Sequence, residues 1–257
     1  MLKGARWEQV TFRSGGLRIA GCLHVPPLAK VRSGVIICHG FLGTKEGGGR
    51  AVEFAQELAE EGYAVLRFDF SGTGESEGSF AQATLSGYGR DLAAAVHFMA
   101  ERGITRIAVI GRSFGGVVAI CQGAVEQRIG GVCTWGTPWD IEGVLRRSLG
   151  DEAFSRLARG ETVTWRNEFG EYCKHPVFLE DLRAFNVLER VRHISPRPLL
   201  VIHGEQDEIV PHQEAEVIYA RANEPKQVVV VRGAGHQFLE HQKEVREITL
   251  GWLKEWF

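Results

Sequence analysis

The feature that most constrains this chain is an alternation running from about residue 30 to the C-terminus. Short apolar runs rich in β-branched residues are separated by longer segments with helical spacing. That rhythm predicts βαβ units and a mostly parallel sheet with helices on both faces. The candidate strands are 34–38, 64–68, 106–110, 131–134, 198–203 and 227–231. All are near-continuously apolar, as strands covered on both faces must be. Two earlier runs, 8–12 and 17–24, flank Ser14-Gly15-Gly16, a turn signal that predicts an antiparallel hairpin at one edge. The expectation is therefore an α/β chain with about eight strands.

The segments between the strands carry apolar stripes at helical spacing. Ala51, Phe54, Ala55, Leu58 and Ala59 mark one helix, and Leu92, Ala95, Val96 and Met99 a second. Residues 115–125 are apolar nearly all round and predict a buried helix, and 238–257 predicts a last helix with Val245, Ile248, Trp252 and Trp256 on one side. The rhythm breaks between residues 137 and 196, a stretch far longer than an ordinary connection and without a legible strand. It reads as an insertion above the sheet after the sixth strand. Trp139, Phe154, Trp165, Phe169, Tyr172, Phe178 and Phe185 lie within it, and either anchor the insertion or line a cleft. Trp135, Trp139 and Trp165 are the candidate substrate-binding residues. Residues 1–257 are expected to form one domain, with 137–196 as its cap.

The chemistry concentrates in Gly111-Arg112-Ser113-Phe114-Gly115, a G-x-S-x-G placed directly between a buried strand and a buried helix. Such a junction is a nucleophile elbow: the serine sits on a strained turn, and the positions two before and two after it must be tiny for strand and helix to approach. Gly111 and Gly115 meet that requirement. The pattern alone is unspecific, for Gly74-Glu75-Ser76-Glu77-Gly78 matches it too. Ser76, however, stands well past its strand, has no helix immediately after it, and is flanked by carboxylates that would oppose an alkoxide. It reads as part of a structural turn.

A serine hydroxyl needs a base, and the base an orienting group. Asp207 lies just past the strand at 198–203, and His236 lies in the glycine-rich loop after 227–231. The order Ser113, Asp207, His236 is that expected of such a triad. Glu205 and Glu208 share the acid loop, and Asp140 follows an earlier strand, so each competes with Asp207 for the acid's place. Backbone amides would receive the oxyanion, one from Phe114 after the nucleophile and one from Phe41 in His39-Gly40-Phe41-Leu42-Gly43. His39 reads as a support for that loop.

Taken together, HGF at 39–41, RFDFSGTGESEG at 67–78, GRSFGG at 111–116, HGEQDEIVP at 203–211 and GAGH at 233–236 resemble the α/β-hydrolase superfamily. Within it the chain is most similar to small bacterial carboxylesterases of the cinnamoyl or feruloyl esterase type. The resemblance implies the α/β-hydrolase fold and cofactor-free hydrolysis of a small-molecule ester through an acyl-serine intermediate. A thioesterase, an acyltransferase, a peptidase or a scaffold without catalysis are the alternatives.

Other functions lack their motifs. The turn after Cys38 has no G-x-G-x-x-G, Gly43-Thr44-Lys45 reverses the P-loop order, and no H-E-x-x-H or clustered ligand set suggests a metal. With 30 basic and 32 acidic residues there is no cationic surplus to hold nucleic acid. No window approaches the ~18 apolar residues of a membrane span, and residues 1–16 lack a signal-peptide core. Five cysteines without a C-x-x-C pair argue against a disulfide framework. The expectation is a cytoplasmic protein with no cofactor and no membrane partner, which leaves room for a homo-oligomer.

Overall fold

In the computed structural model, which describes residues 6–27, 31, 33–167 and 170–257, the predicted alternation becomes a single eight-stranded sheet. In chain order the elements are β1 (Arg6–Ser14), β2 (Leu17–Val25), β3 (Ser33–Cys38), α1 (Arg50–Glu60), β4 (Ala64–Phe68) and α2 (Leu85–Glu101). There follow β5 (Arg106–Arg112), α3 (Phe114–Gly123), β6 (Ile129–Trp135), α4 (Ile141–Leu149), α5 (Asp151–Ala158), β7 (Val163–Asn167) and β8 (Gly170–Lys174). The chain ends with α6 (Val177–Leu182), α7 (Val187–Arg190), β9 (Leu199–Gly204), α8 (Gln213–Arg221), β10 (Lys226–Val231) and α9 (Gln242–Trp256).

The sheet order is β1-β2-β4-β3-β5-β6-β9-β10. The β1–β2 and β2–β4 pairs are antiparallel and the rest parallel. The hairpin sits at the edge, closed by Gly15 (φ 54°) and Gly16 (φ 88°), a two-residue turn whose positive φ values suit glycine. Because β3 lies between β4 and β5, the chain leaves it in opposite directions, and the crevice beyond the carboxyl ends of β3 and β5 is where such sheets bind ligands.

Successive residues of each buried strand face opposite sides, so the sheet separates two apolar cores. Ile36 and Val109 join α2, α3 and α8 on one side, while Val35, Ala108 and Ile110 join α1 and α9 on the other. The helices follow their stripes: Phe54, Ala55, Leu58 and Ala59 are the buried residues of α1, and α3 is buried almost throughout. Thr84 caps α2 by accepting from the Gly87 amide at 3.0 Å.

Two expectations are corrected. The last helix begins at Gln242, not 238, because Phe238 takes a left-handed conformation (φ 51°) that seats its ring in the core. The insertion does contain strands: β7 and β8 pair as an antiparallel ribbon between α5 and α6. The ribbon leaves no strand signature in the sequence, because Val163-Thr-Trp-Arg and Gly170-Glu-Tyr-Cys-Lys are short and charged, with only one strongly buried position each. Phe154 and Phe178 anchor the insertion in the main core, at 2% and 1% exposure, and Phe169 lies outside the described residues.

Candidate active site

Four loops at the carboxyl ends of β3, β5, β9 and β10 carry the candidate residues. The β5–α3 junction is sharp enough that Ser113 adopts φ 51° and ψ −121°, a conformation that non-glycine residues rarely occupy. Space makes it possible. A Cβ on Gly111 would collide with the backbone of Gly115, and one on Gly115 with the carbonyls of Cys38 and His39. The Ser113 amide is held by the Trp135 carbonyl at 2.8 Å, which ties the elbow to the end of β6.

The next residue on that strand is Gly136, and there the other two side chains arrive. A Cβ on Gly136 would lie 3.3 Å from Oδ2 of Asp207 and 3.4 Å from the ring of His236. The imidazole and the serine thus flank the same strand end. Nδ1 of His236 donates to Oδ2 of Asp207 at 2.8 Å, fixing the tautomer that leaves Nε2 free to accept a proton. Among the described residues the Ser113 hydroxyl makes no hydrogen bond to Nε2 in this resting geometry; such bonds often tighten only around substrate. The backbone of His236 is braced separately, its amide donating to Glu208 at 3.0 Å.

Asp207 has more partners than the sequence suggested. Oδ1 accepts from the amides of Ile209 (3.0 Å) and Val210 (2.8 Å), while Nε2 of His203 approaches Oδ2 at 3.1 Å. Burial alone would raise the carboxyl's pKa, but the hydrogen bonds from His203 and His236 outweigh it and hold it well below the usual carboxylate range. The competing acids are otherwise engaged. Asp140 caps α4, accepting from Gly143 at 2.9 Å; Glu205 accepts from Gly233, and Glu208 from His236.

The loop after β3 approaches the elbow closely: a Cβ on Gly40 would sit 3.2 Å from both the Ser113 Cβ and the Arg112 carbonyl. His39 braces this loop, with Nδ1 donating to the Gly40 carbonyl at 2.8 Å and Nε2 accepting from the Phe70 amide at 3.2 Å. Among the described residues, neither the Phe41 nor the Phe114 amide donates a hydrogen bond. Ser76, by contrast, is consumed structurally, donating to the Asp69 carbonyl at 2.7 Å and accepting from the Ala20 amide at 2.9 Å.

The three tryptophans separate. Trp165 in the ribbon stacks on Phe41 at 6.4 Å with the rings 5° from parallel. Trp139 lies at the surface, 38% exposed, its amide held by Glu214 at 2.8 Å. Trp135 turns away from the cleft, correcting the expectation. It packs on Phe54 and Phe238 beneath the sheet and donates its indole N–H to Thr249 at 3.1 Å. Alternation along β6 causes this, since its last side chain points to the α9 face.

Sequence reading also missed Lys174 at the end of β8. The residue is 1% exposed, and its ammonium donates to the Phe80 carbonyl and lies 4.0 Å from the Phe80 ring centre, 4.4 Å from Phe178 and 5.8 Å from Phe41. Burial lowers its pKa to about 7. In the sequence it is one lysine within the stretch that shows no legible strand. Among the described residues, no group of three or more His, Cys, Asp or Glu side chains is disposed to hold a metal ion, and no helix is long and apolar enough to cross a membrane.

Comparison with known proteins agrees with this architecture. Residues 29–137 match the serine aminopeptidase S33 hydrolase family and residues 156–257 the prolyl oligopeptidase family. Uncharacterized protein PA2218 of Pseudomonas aeruginosa is 28% identical, over 89% of this chain and 74% of that protein. Uncharacterized protein YfhR of Salmonella typhi is 27% identical over 70% of this chain, which spans little more than half (56%) of YfhR. Among solved structures, ferulic acid-bound Est1E of Butyrivibrio proteoclasticus superposes with a TM-score of 0.80 at 22% identity, covering 96% of this chain and 98% of Est1E. The eight-stranded sheet, two hydrolase family models on successive parts of the chain and likeness to solved structures along its length show that this protein has the α/β-hydrolase fold.

Proposed function

We propose that this protein hydrolyses carboxylic esters through an acyl-enzyme on Ser113. In the first step His236 Nε2 takes the hydroxyl proton as Oγ attacks the ester carbonyl, and Asp207 stabilises the imidazolium that forms. The amides of Phe41 and Phe114 receive the oxyanion; both lack other acceptors among the described residues, so neither must break a bond to do so. His236 then protonates the leaving alcohol. Water repeats the sequence on the acyl-serine and releases the acid.

The observation that carries this reading is the 2.8 Å bond between Asp207 and His236 at the strand end to which the strained Ser113 is also tied. Residues 137–196 act as a cap within one domain, 1–257, and select small acyl or aryl-acyl groups of the cinnamoyl kind. The cluster of Phe41, Trp165 and Phe178 supports that choice, as does ferulic acid bound to Est1E. The protein acts on small-molecule esters in the cytoplasm without a cofactor; its five cysteines are all free thiols, which suits a reducing compartment.

A fluorophosphonate should label Ser113, read by peptide mass spectrometry, and Ser113→Ala should lose at least ~10³-fold in turnover of a p-nitrophenyl ester. Ser76→Ala serves as the control and should retain turnover. Equal losses in both would overturn the assignment. The family descriptions favour one second reading, a peptidase on the same residues. A panel of matched esters, thioesters and amides decides between them.

A further inference from the structure

Behind the Ser113 elbow, on the α1 side of the sheet, lies a cavity of about 80 Å³ bordered by Arg50, Arg112, Phe54, Trp135 and Phe238. Neither aspartate nor glutamate lines it. Lys45 also reaches it, but that ammonium is already neutralised by Asp69 at 2.9 Å and by Glu75. The two arginines are not. Among the described residues the Arg112 guanidinium has neither a hydrogen bond nor an ion pair, and Arg50 makes one neutral contact, to the Gln237 side-chain oxygen at 3.1 Å.

Two half-buried guanidinium groups side by side, neither paired with a carboxylate, repel each other and favour an anion between them. Burial, and then the charge of Arg50, pull the Arg112 pKa down to about 10, with Asp207 acting in the opposite direction. The N-terminus of α1 borders the same space through Gly47, Arg50 and Ala51, and no side chain caps it. Two forked donors and the positive end of a helix dipole converge on one small, acid-free volume.

We propose that this cavity binds a compact oxyanion, a phosphate or carboxylate group, clamped between Arg112 and Arg50. A space of this size admits a few waters or one such group but no extended chain. The bound anion braces the elbow from behind, because Arg112 directly precedes Ser113 and its carbonyl lies 3.2 Å from where a Cβ on Gly40 would stand. The site stands apart from the esterase reading, since binding is measurable without turnover.

The test uses Ser113→Ala protein titrated with inorganic phosphate or acetate at constant ionic strength, read by calorimetry and thermal unfolding. Saturable binding with a rise in Tm is expected, and Arg112→Met and Arg50→Met should each weaken it at least tenfold, with Arg112→Lys intermediate. No saturable binding, or binding by both methionine variants equal to that of the parent, overturns the proposal. If Arg112→Met does not fold, Arg50→Met alone decides, its unchanged affinity counting against the site. Kinetics on wild-type protein separate the anion's two sources. A non-competitive effect of phosphate on a neutral ester marks a free anion. Competition, together with a preference for ω-carboxylated esters lost in Arg50→Met, marks the anionic end of a substrate.

Discussion

Nδ1 of His236 donates to Oδ2 of Asp207 at 2.8 Å, and that carboxylate also accepts two backbone amides, so the acid is held rigidly before any substrate arrives. In the proposed mechanism this rigidity selects the tautomer in which Nε2 is the base.

Asp207→Asn should keep the fold and lose about 10⁴-fold in kcat, because the amide can present an N–H and turn the imidazole to the wrong tautomer. Asp140→Ala should instead leave kcat within a few-fold and cost about 1 kcal/mol of stability, as loss of a helix cap does. Steady-state kinetics paired with urea unfolding distinguishes the two.

The depressed Asp207 carboxyl makes stability depend on acid. Its folded-state pKa lies below its unfolded one, so its contribution is complete above about pH 4 and is lost as pH falls further toward the folded value. Wild type should therefore lose more stability between about pH 5 and pH 2 than Asp207→Asn does. For Lys174, lowered to about 7 by burial, the unfolded chain binds the extra proton, and stability should rise with pH from about 7 toward 10. Lys174→Met should lack that rise in urea midpoints measured across the range.

Gly40→Ala would place a methyl 3.2 Å from the Ser113 Cβ and the Arg112 carbonyl, displacing the loop that presents the Phe41 amide. A fall in kcat of about 10²-fold is expected, the cost of weakening one oxyanion donor, with little change in KM. A change confined to KM would mean that the loop binds substrate and not the oxyanion.

Trp165→Ala should shift the preference between butyryl and cinnamoyl esters by about 1 to 3 kcal/mol, since its ring stacks on Phe41. Trp135→Ala should leave the preference unchanged and destabilise the fold by about 3 to 5 kcal/mol, as emptying a packed aromatic site does. Ester-panel kinetics and denaturant midpoints on both variants check the pair.

What could be read directly in the residues was whatever depends on local spacing. The apolar runs foretold the strands, and Gly111 and Gly115 around Ser113 foretold the elbow, because the steric demand of that turn falls on neighbours two positions away. Asp207 and His236 were legible for the same reason, each standing just past a strand end. Tertiary packing decided the rest. Which face of β6 Trp135 occupies, that His203 shares the carboxylate of Asp207, and that Lys174 is enclosed by Phe41, Phe80 and Phe178 all depend on segments far apart in the chain. Burial and charge balance at such places are set by whichever surfaces meet, and only the assembled sheet and its insertion bring those surfaces together.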